Sequence, residues 1–395
     1  MRVLVVHNRY SSRVPSGENV SVGSEIAWLR DAGVAVDVLE ATNDDLYEGG
    51  AVRQAQIALS SPWSFSARQR MEAALDADRP DVVHVHNLFP LLSSSVPAAA
   101  LRRGIPVVWT VRNNRSLCVA GTHMRDEAPC HKCKPGLRIA GMRYRCYKDS
   151  LATSALMTAA TASFRAMARR RVTAIAISQS LRNWLIDEAH FDPERVHLKY
   201  NGIATPSPDL TVPPAQDSRT ILYAGYLAPY KGTPLLLEAW RKVKVPDLEL
   251  RIVGDGPSAD DVRAAAAEDS RIRFVGTVPP DEVAAHFAAA RAVVVPSAWD
   301  EPFGRLAAES LSFGRPVVTT GLGGLSEIVD ETTGWITGPD PVAMAAALTD
   351  AADDLSLTLR AKGATERHLE LFSPEATIEQ LLEIYRSVTT APTSK

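Results

Sequence analysis

The chain has 395 residues, of which 46% are apolar and 23% are charged, so it has the composition of a globular protein and enough length for two domains. It contains no apolar run long enough for a membrane-spanning helix, and its first residues form a short apolar strand without the features of a signal peptide, which predicts a cytoplasmic protein. The net charge of -3 hides an asymmetry, because residues 1–200 carry 26 Lys and Arg against 19 Asp and Glu, whereas the remainder carries 17 against 27.

Most of the positive charge is concentrated in residues 102–171, which contain 15 basic and 3 acidic residues. Such a block predicts an anionic neighbour, which could be a phosphate, a polyanion or the surface of an anionic membrane. The alternative is a solvated basic face without a partner. Nucleic acid is not expected, because aromatic residues are not interleaved with the basic ones as base stacking would require.

In the first half of the chain, apolar segments rich in Val and Ile alternate with helical segments, the first of which is predicted over residues 22–32. Near-continuous apolar strands separated by helices indicate a parallel sheet that is covered on both faces. The predicted strands of this half are residues 1–7, 34–41, 81–87, 105–111, 173–178 and 196–202.

The second half repeats this alternation after a polar, proline-rich segment at residues 205–216, which predicts a linker. We therefore expect two doubly wound α/β domains, over residues 1–203 and 217–373, that face each other across a cleft, followed by a last helix over residues 374–388. Ligands of such sheets bind beyond the carboxyl ends of the strands. The predicted strands of this half are residues 219–227, 248–256, 272–278, 292–297 and 315–321.

Three loops that follow strands of the second domain have glycines beside groups that suit a nucleotide. Lys231 lies next to Gly232, where close backbone approach would suit a diphosphate, although a plain surface lysine is an equal alternative. Gly254 could approach a ligand or simply form a strand-to-helix turn. Backbone groups near Thr277 and Val278 could read a base edge.

The fourth loop gives the most specific prediction. Pro302 fits the first turn of a helix, whose free N–H groups and dipole form an anion site. Glu301 lies just before this start, and Glu309 lies two turns further on and close to the same face. Near a bound diphosphate, these carboxylates would accept hydrogen bonds from sugar and ribose hydroxyls, respectively. The expected donor-site residues are therefore Gly225, Tyr226, Lys231, Gly254, Thr277, Val278, Glu301, Pro302, Phe303, Gly304, Arg305, Leu306 and Glu309.

The first domain offers candidates for the other side of the cleft. The loop at residues 15–19 should reach the cleft with Gly17 and Glu18, although Glu18 could equally be a plain loop charge. His84 and His86 are predicted to face opposite sides of their strand, with His86 and Asn87 lining the site and no metal pair between the histidines.

Four cysteines, Cys118, Cys130, Cys133 and Cys146, fall within residues 116–150 in the pattern C-x11-C-x2-C-x12-C. Four thiols around a central CxxC suggest a structural zinc ion with tetrahedral coordination. Reduced structural thiols and disulfides are the alternatives.

The ordered segments GYLAPYKG, IVGDGP, FVGTV, EPFGRLAAES and GLGGLSEIV, together with VLVVHNRY, DVVHVHN and PVVWTVRNNRSLC, resemble the retaining family 4 glycosyltransferases with the GT-B fold, in a subgroup with a four-cysteine insertion. The resemblance implies transfer of a hexosyl or N-acetylhexosaminyl group from a nucleotide-diphosphate sugar, with retention and without a catalytic metal. UDP is favoured as the nucleotide because it is common in such enzymes. The resemblance also implies a donor site in the C-terminal domain, an acceptor site in the N-terminal domain, and a last helix that crosses back to the N-terminal domain.

Two positions depart from the family pattern. Tyr226 stands where the family has a diphosphate-clamping arginine, and Arg112 stands where it has a histidine that contacts the donor sugar. One hypothesis is that Arg112, beside Asn113, supplies the missing cation and joins Glu301 and Lys231 in catalysis, with Arg305 as a second substitute. The alternative is a catalytically weak nucleotide-sugar-binding protein. A dinucleotide-dependent oxidoreductase is disfavoured, because no G-x-G-x-x-G follows the first strand.

Overall fold

A computed structural model describes residues 1–12, 16–46, 50–126, 128–133 and 139–390. The chain divides into two compact units. Unit 1 comprises residues 1–125, 130–202 and the chain from residue 377, and unit 2 comprises residues 126–129 and 203–376. Among the described residues, no helix is both long and apolar enough to cross a membrane.

Unit 1 is built on a six-stranded sheet whose strands are all parallel, in the order β2-β1-β3-β4-β7-β8. The prediction of a parallel sheet is confirmed, and its physical basis is that runs such as Val3–Val6 are buried on both faces. The strands in chain order are β1 (Arg2–Arg9), β2 (Ala35–Thr42), β3 (Val82–Val85), β4 (Val107–Val111), the two short strands β5 (Met124–Arg125) and β6 (Ala128–Pro129), β7 (Thr173–Ala176) and β8 (Val196–Leu198).

The helices of unit 1 cover its sheet, and α1 begins earlier than predicted. The Ser16 side chain accepts a hydrogen bond from the Asn19 N–H and caps the helix, so Gly17, Glu18 and Asn19 form the first turn instead of a loop. Pro15 lies outside the described residues. The helices in chain order are α1 (Gly17–Asp31), α2 (Gly50–Ser60), α3 (Phe65–Ala77), α4 (Ser95–Arg102), α5 (Ile139–Arg143), α6 (Leu151–Arg171) and α7 (Gln179–Asn183).

Unit 2 has a second six-stranded parallel sheet, in the order β11-β10-β9-β12-β13-β14. Its last strand, β14, was not predicted from the sequence, because it has only three residues, of which one is buried. The strands are β9 (Thr220–Ala224), β10 (Glu249–Val253), β11 (Ile272–Gly276), β12 (Ala292–Val295), β13 (Val317–Thr319) and β14 (Gly334–Ile336). The helices from unit 2 onward are α8 (Thr233–Lys242), α9 (Ala259–Glu268), α10 (Pro280–Ala288), α11 (Arg305–Ser312), α12 (Leu325–Ile328), α13 (Pro341–Asp350), α14 (Asp354–Arg367) and α15 (Pro374–Thr390).

Each unit has its own apolar core. In unit 1, α15 contributes Ile378, Leu381 and Tyr385 to the cluster around β1 and α1. The phenolic oxygen of Tyr385 also lies 2.6 Å from His84 Nδ1, so a polar contact fixes this helix within the core. In unit 2, the core packs α8, α9 and α13 against the buried strands. In both units the carboxyl ends of the parallel strands lie at one edge of the sheet, where the candidate residues are found.

Candidate functional site

In unit 2, the loops after β9 and β12 are packed directly against each other, and this contact positions Lys231. A short turn over Pro229–Lys231 ends at Gly232, which has φ +83 and begins α8. A Cβ atom at Gly232 would lie 1.8 Å from the Pro296 carbonyl oxygen, so only glycine fits between the two loops. Lys231 is thereby brought next to the loop that carries Glu301.

Lys231 and Glu301 form the centre of the site. The Lys231 Nζ donates to Glu301 Oε1 over 2.6 Å, and Ser297 Oγ donates to the same oxygen over 2.8 Å. The Nζ also lies 4.9 Å from the centre of the Trp299 ring, within cation–π range. Both hydrogen bonds use Oε1, so neither engages the second carboxylate oxygen of Glu301.

The backbone of Glu301 is held by a second loop of the same unit. Glu301 forms a parallel bridge with Gly323, and its carbonyl oxygen accepts the Gly324 N–H over 2.7 Å. The Glu301 side chain is 11% exposed, which leaves it reachable but largely shielded from water. A carboxylate fixed in this way could accept a hydroxyl hydrogen bond in a defined direction.

Helix α11 begins at Arg305, so the prediction that Pro302 lies in its first turn is wrong. Gly304 has φ +103, and this left-handed turn must be completed before the helix can start. Phe303 is buried against Phe372, which fixes the approach to the turn. The N-cap Gly304 makes no side-chain cap, and the N–H groups of a first turn have no partners within the helix, so the expected anion site moves to Arg305, Leu306 and the residues after them.

Glu309 lies one turn after Arg305, and the two side chains form an ion pair. Arg305 Nη2 lies 2.8 Å from Glu309 Oε1, and both side chains are about a quarter exposed. The guanidinium that could substitute for a phosphate clamp and the carboxylate expected at the ribose are therefore neighbours. The predicted role of Arg305 at the diphosphate and that of Glu309 at the ribose therefore depend on each other.

The remaining donor candidates lie at the same edge of the sheet. Gly254 follows β10 and donates its N–H to the Gly276 carbonyl over 2.8 Å, while Thr277 and Val278 come directly after β11. The Tyr226 side chain is exposed at the end of β9, and its carbonyl oxygen accepts the Tyr223 hydroxyl over 2.9 Å. These positions are compatible with a bound nucleotide, and their roles stay predictions.

In unit 1, a small cavity of about 40 Å³ gathers the acceptor candidates of that unit. His86, Asn87 and Asn113 line it, as do Glu18 and Arg115. Burial raises the pKa of the Glu18 carboxyl, although the charges of Arg112 and Arg115 partly offset this effect. Gly17 lies beside Glu18 in the first turn of α1.

A buried ionic cluster centred on Glu25 shares Arg112 and His86 with the wall of this cavity. The sequence analysis missed this cluster. Glu25 Oε2 lies 3.0 Å from Lys199 Nζ and 3.5 Å from Arg112 Nη2, and each of the three side chains is at most 6% exposed. Burial alone would raise the pKa of Glu25, but Lys199 and Arg112 outweigh it and lower the pKa to about 2. The available signal was a carboxylate in the buried stripe of α1, between Val22 and Leu29.

His84 and His86 belong to the same cluster, so the prediction that they face opposite sides is wrong. Residues two apart on a strand share a face, and the two imidazole centres are 4.2 Å apart. Burial lowers the pKa of His84 to about 4 and lowers the pKa of His86 well below its usual value. Both imidazoles are therefore neutral at pH 7.

Glu25, His84 and His86 are the only group of three or more His, Cys, Asp or Glu ligand atoms, among the described residues, that lie within 4.8 Å of one another. Two observations argue against a metal there. The His84 ring nitrogens lie 2.7 Å from Thr110 Oγ1 and 2.6 Å from the Tyr385 hydroxyl. In addition, Lys199 and the Arg112 guanidinium already supply positive charge to Glu25.

Arg112 binds partners within unit 1. Its side chain is 4% exposed, and besides Glu25 it donates a hydrogen bond to the Asn201 side-chain oxygen. These contacts fix the loop after β4 to α1 and to the chain after β8. The hypothesis that Arg112 replaces the cation missing at Tyr226 stays a prediction.

Comparisons with known proteins agree with this architecture. Residues 15–206 match the family described as Glycosyltransferase Family 4, and residues 218–354 match the family described as Glycosyl transferases group 1. Each half of the chain therefore matches a glycosyltransferase family, and together the two matches cover most of its 395 residues. These matches support the sequence resemblance to the family 4 glycosyltransferases, whereas retention and the four-cysteine subgroup stay predictions.

Among related sequences, the D-inositol 3-phosphate glycosyltransferase of Corynebacterium efficiens is 35% identical over 187 residues, which span only 44% of either chain. The enzyme of the same name from a Nocardioides species is 28% identical over 94% of this chain and 85% of its own length.

Solved structures show the same GT-B fold, and the fold prediction is confirmed. Anabaena Alr3699/HepE in complex with UDP and glucose has a TM-score of 0.67 at 19% identity, covering 98% of this chain and all of the other. Sucrose-phosphate synthase from Thermosynechococcus elongatus has a TM-score of 0.66 at 19% identity, covering 99% of this chain and all of its own.

Proposed function

We propose that this glycosyltransferase moves a hexosyl or N-acetylhexosaminyl group from a UDP-sugar to a hydroxyl acceptor, with retention of anomeric configuration. The observation that carries the proposal is the arrangement of Lys231, Ser297 and Glu301 beside the start of α11. Solved GT-B neighbours were crystallised with UDP and with UDP-glucose, which supports UDP as the nucleotide.

The leaving nucleotide diphosphate gains negative charge as the glycosidic bond breaks, and fixed positive groups stabilise that charge. Lys231 is one such group, because Glu301 and the Trp299 ring hold its ammonium in place. The first-turn amides of α11 supply a second. Because both groups are ordered before the donor binds, little reorganisation is needed during the reaction.

Glu301 acts on the sugar in this proposal. Its Oε1 accepts from Lys231 and Ser297, and its Oε2 would accept a hydrogen bond from a sugar hydroxyl. Glu309 would accept from a ribose hydroxyl after Arg305 turns from it towards the diphosphate. Binding of the donor would thus replace the ion pair between Arg305 and Glu309 with two contacts, one from Arg305 to the diphosphate and one from Glu309 to the ribose.

Retention would follow a front-face path, in which the departing phosphate oxygen takes the proton of the attacking acceptor hydroxyl. In this scheme the new glycosidic bond forms on the face from which the diphosphate leaves, and Glu301 orients the sugar without forming a covalent bond. No metal ion takes part. The anomeric configuration of the new glycosidic bond in the transfer product, read by proton NMR, tests this step, and an inverted product would refute it.

The acceptor would bind in unit 1, where two cavities are available. The small one carries Arg115 and Arg165 in its wall, which favours an acceptor with an anionic group. A larger cavity of about 560 Å³ lies between α2 and α6, with Ile57, Leu156 and Met157 in its wall. It would hold an apolar part of the acceptor. The names of the inositol-phosphate relatives are consistent with a phosphate-bearing acceptor.

A contact with anionic membrane would use the basic end of α6, where Arg169, Arg170 and Arg171 follow one another. Binding to vesicles should then rise with the fraction of anionic lipid and fall with salt. Binding that ignores anionic lipid would remove the membrane from the proposal without affecting the transfer reaction.

The deciding experiment measures hydrolysis and binding of UDP-, GDP- and ADP-sugars. We expect turnover with a UDP-sugar, a loss of at least about 100-fold in Glu301→Gln and Lys231→Ala, and no change in the exposed control Glu366→Gln. Binding by calorimetry without turnover for any donor would favour the alternative, a nucleotide-sugar-binding protein with weak catalysis. Absence of both binding and turnover would refute the proposal.

A further inference from the structure

Three of the four cysteines lie in the region around Gly141, although they are distant in the chain. The Gly141 carbonyl accepts the Cys146 N–H over 3.0 Å. A Cβ atom at Gly141 would lie 3.4 Å from Cys133 Sγ and 2.4 Å from Cγ2 of Val119, the residue after Cys118. The first turn of α5 therefore brings Cys118, Cys133 and Cys146 into one region of unit 1.

The fourth cysteine, Cys130, is placed near the others by its short separation from Cys133 in the sequence. Cys130 precedes Cys133 in a Cys-x2-Cys pattern, and its N–H donates to the His123 carbonyl over 2.6 Å. All four cysteines are present as thiols.

The surroundings of these thiols are positively charged. The Tyr144 ring has the Arg125 guanidinium at 4.1 Å, the Lys132 ammonium at 5.2 Å and the Arg143 guanidinium at 5.9 Å from its centre. Nearby cations favour thiolates over thiols. They would also balance the two negative charges that remain when four thiolates bind one divalent cation.

We propose that Cys118, Cys130, Cys133 and Cys146 bind one structural Zn²⁺ ion in tetrahedral coordination. Four sulfur ligands without an open position are typical of structural zinc, with Zn–S distances of about 2.3 Å. In the described part of the chain, no three of these sulfur atoms lie within 4.8 Å of one another, so the ion would draw them together.

The location of the site indicates what the ion stabilises. The Cys118 N–H donates to the Asn114 carbonyl over 2.7 Å, in the short turn that also carries Arg115 of the small cavity. At the other end, Cys146 immediately precedes Tyr147 and Lys148, which line the larger cavity. One ion would thus fix both cavity walls to the same point without taking part in chemistry.

The test is the metal content of the full chain purified without chelators, which does not depend on activity. We expect about one zinc per chain, a content below about 0.2 in Cys146→Ser, and recovery in Cys130→His, because imidazole is also a zinc ligand. Arg145→Ser is the matched control, since it changes the exposed neighbour of Cys146 and keeps every thiol.

Variants that fold poorly are avoided by titrating the unmodified chain with a mercurial reagent. We expect the release of one zinc ion as about four thiols react, together with faster hydrogen exchange in residues 112–121. Zinc far below one per chain, zinc unchanged in Cys146→Ser, two disulfides by mass spectrometry, or the visible absorption of an iron centre would each overturn the proposal.

Discussion

Replacing Glu25 by glutamine should destabilise unit 1 strongly, because it leaves two cations buried without their counter-ion. Lys199 and Arg112 are 3% and 4% exposed, so neither can turn to water without moving the chain. Removing one partner of a buried ion pair typically costs about 3–5 kcal/mol. The pKa of the Glu25 carboxyl, held at about 2 by these cations, agrees in direction with this cost.

The ion pair itself contributes less than this figure. Burial lowers the pKa of Lys199, because a buried ammonium loses its hydration. This cost offsets part of the stabilisation that the ion pair gives to the Glu25 carboxylate. The double variant Glu25→Gln/Lys199→Met should therefore be more stable than Glu25→Gln alone, because it removes one of the stranded charges.

The assay is urea unfolding followed by hydrogen exchange in peptides from β1 and β3, which reports on unit 1 separately from unit 2. The exposed pair of Glu238 and Lys242, 3.7 Å apart on α8, is the matched control, and Glu238→Gln should cost less than about 0.5 kcal/mol. A cost below about 1 kcal/mol for Glu25→Gln, or a double variant less stable than the single one, would refute the reasoning.

Three further predictions concern the site, the pH response and the departure from the family pattern. Gly232→Ala should destabilise unit 2 by at least about 2 kcal/mol and reduce donor turnover, whereas Gly338→Ala, which also has positive φ but nothing within 4 Å of its Cβ, should cost about 1 kcal/mol; equal costs would contradict the close contact. Because the neutral form of His84 is favoured on folding, unit 1 should lose stability as the pH falls from about 6.5 to 4, by up to about 1.4 kcal/mol per pH unit, and His84→Gln should flatten the curve of melting temperature against pH. Tyr226→Arg should tighten UDP-sugar binding about tenfold at an exposed position, and unchanged affinity in calorimetry would show that the diphosphate is bound elsewhere.

The regular elements could be predicted because their signals are local. Buried parallel strands are recognisable as runs of Val and Ile, and each predicted strand overlaps an observed one. The errors came where one residue decided the outcome. Ser16 extends α1 by capping it, and the left-handed turn at Gly304 delays α11, and neither effect follows from periodicity.

The candidate site also has one part that could be predicted from the sequence and one part that could not. Glu301 and Lys231 could be predicted because glycine spacing and a following helix mark a strand-end loop, and the structure brings them within 2.6 Å. The cluster around Glu25 could not, because its members come from β3, α1 and the ends of β4 and β8. Only the fold brings these residues together, so no spacing in the sequence reveals them.

The environment of Arg112 makes its substitution for the family's histidine intelligible on physical grounds. A neutral histidine at this position would leave Glu25 with Lys199 as its single cation, whereas the guanidinium also donates to Asn201 and closes the loop after β4 onto the chain after β8. A buried carboxylate beside two neutral histidines gains most from a second permanent charge, since both imidazoles lose their protons on burial. The change at residue 112 thus has a sufficient cause inside unit 1. The change at residue 226, on an exposed loop of unit 2, then needs its own explanation in how the proposed donor diphosphate would be held.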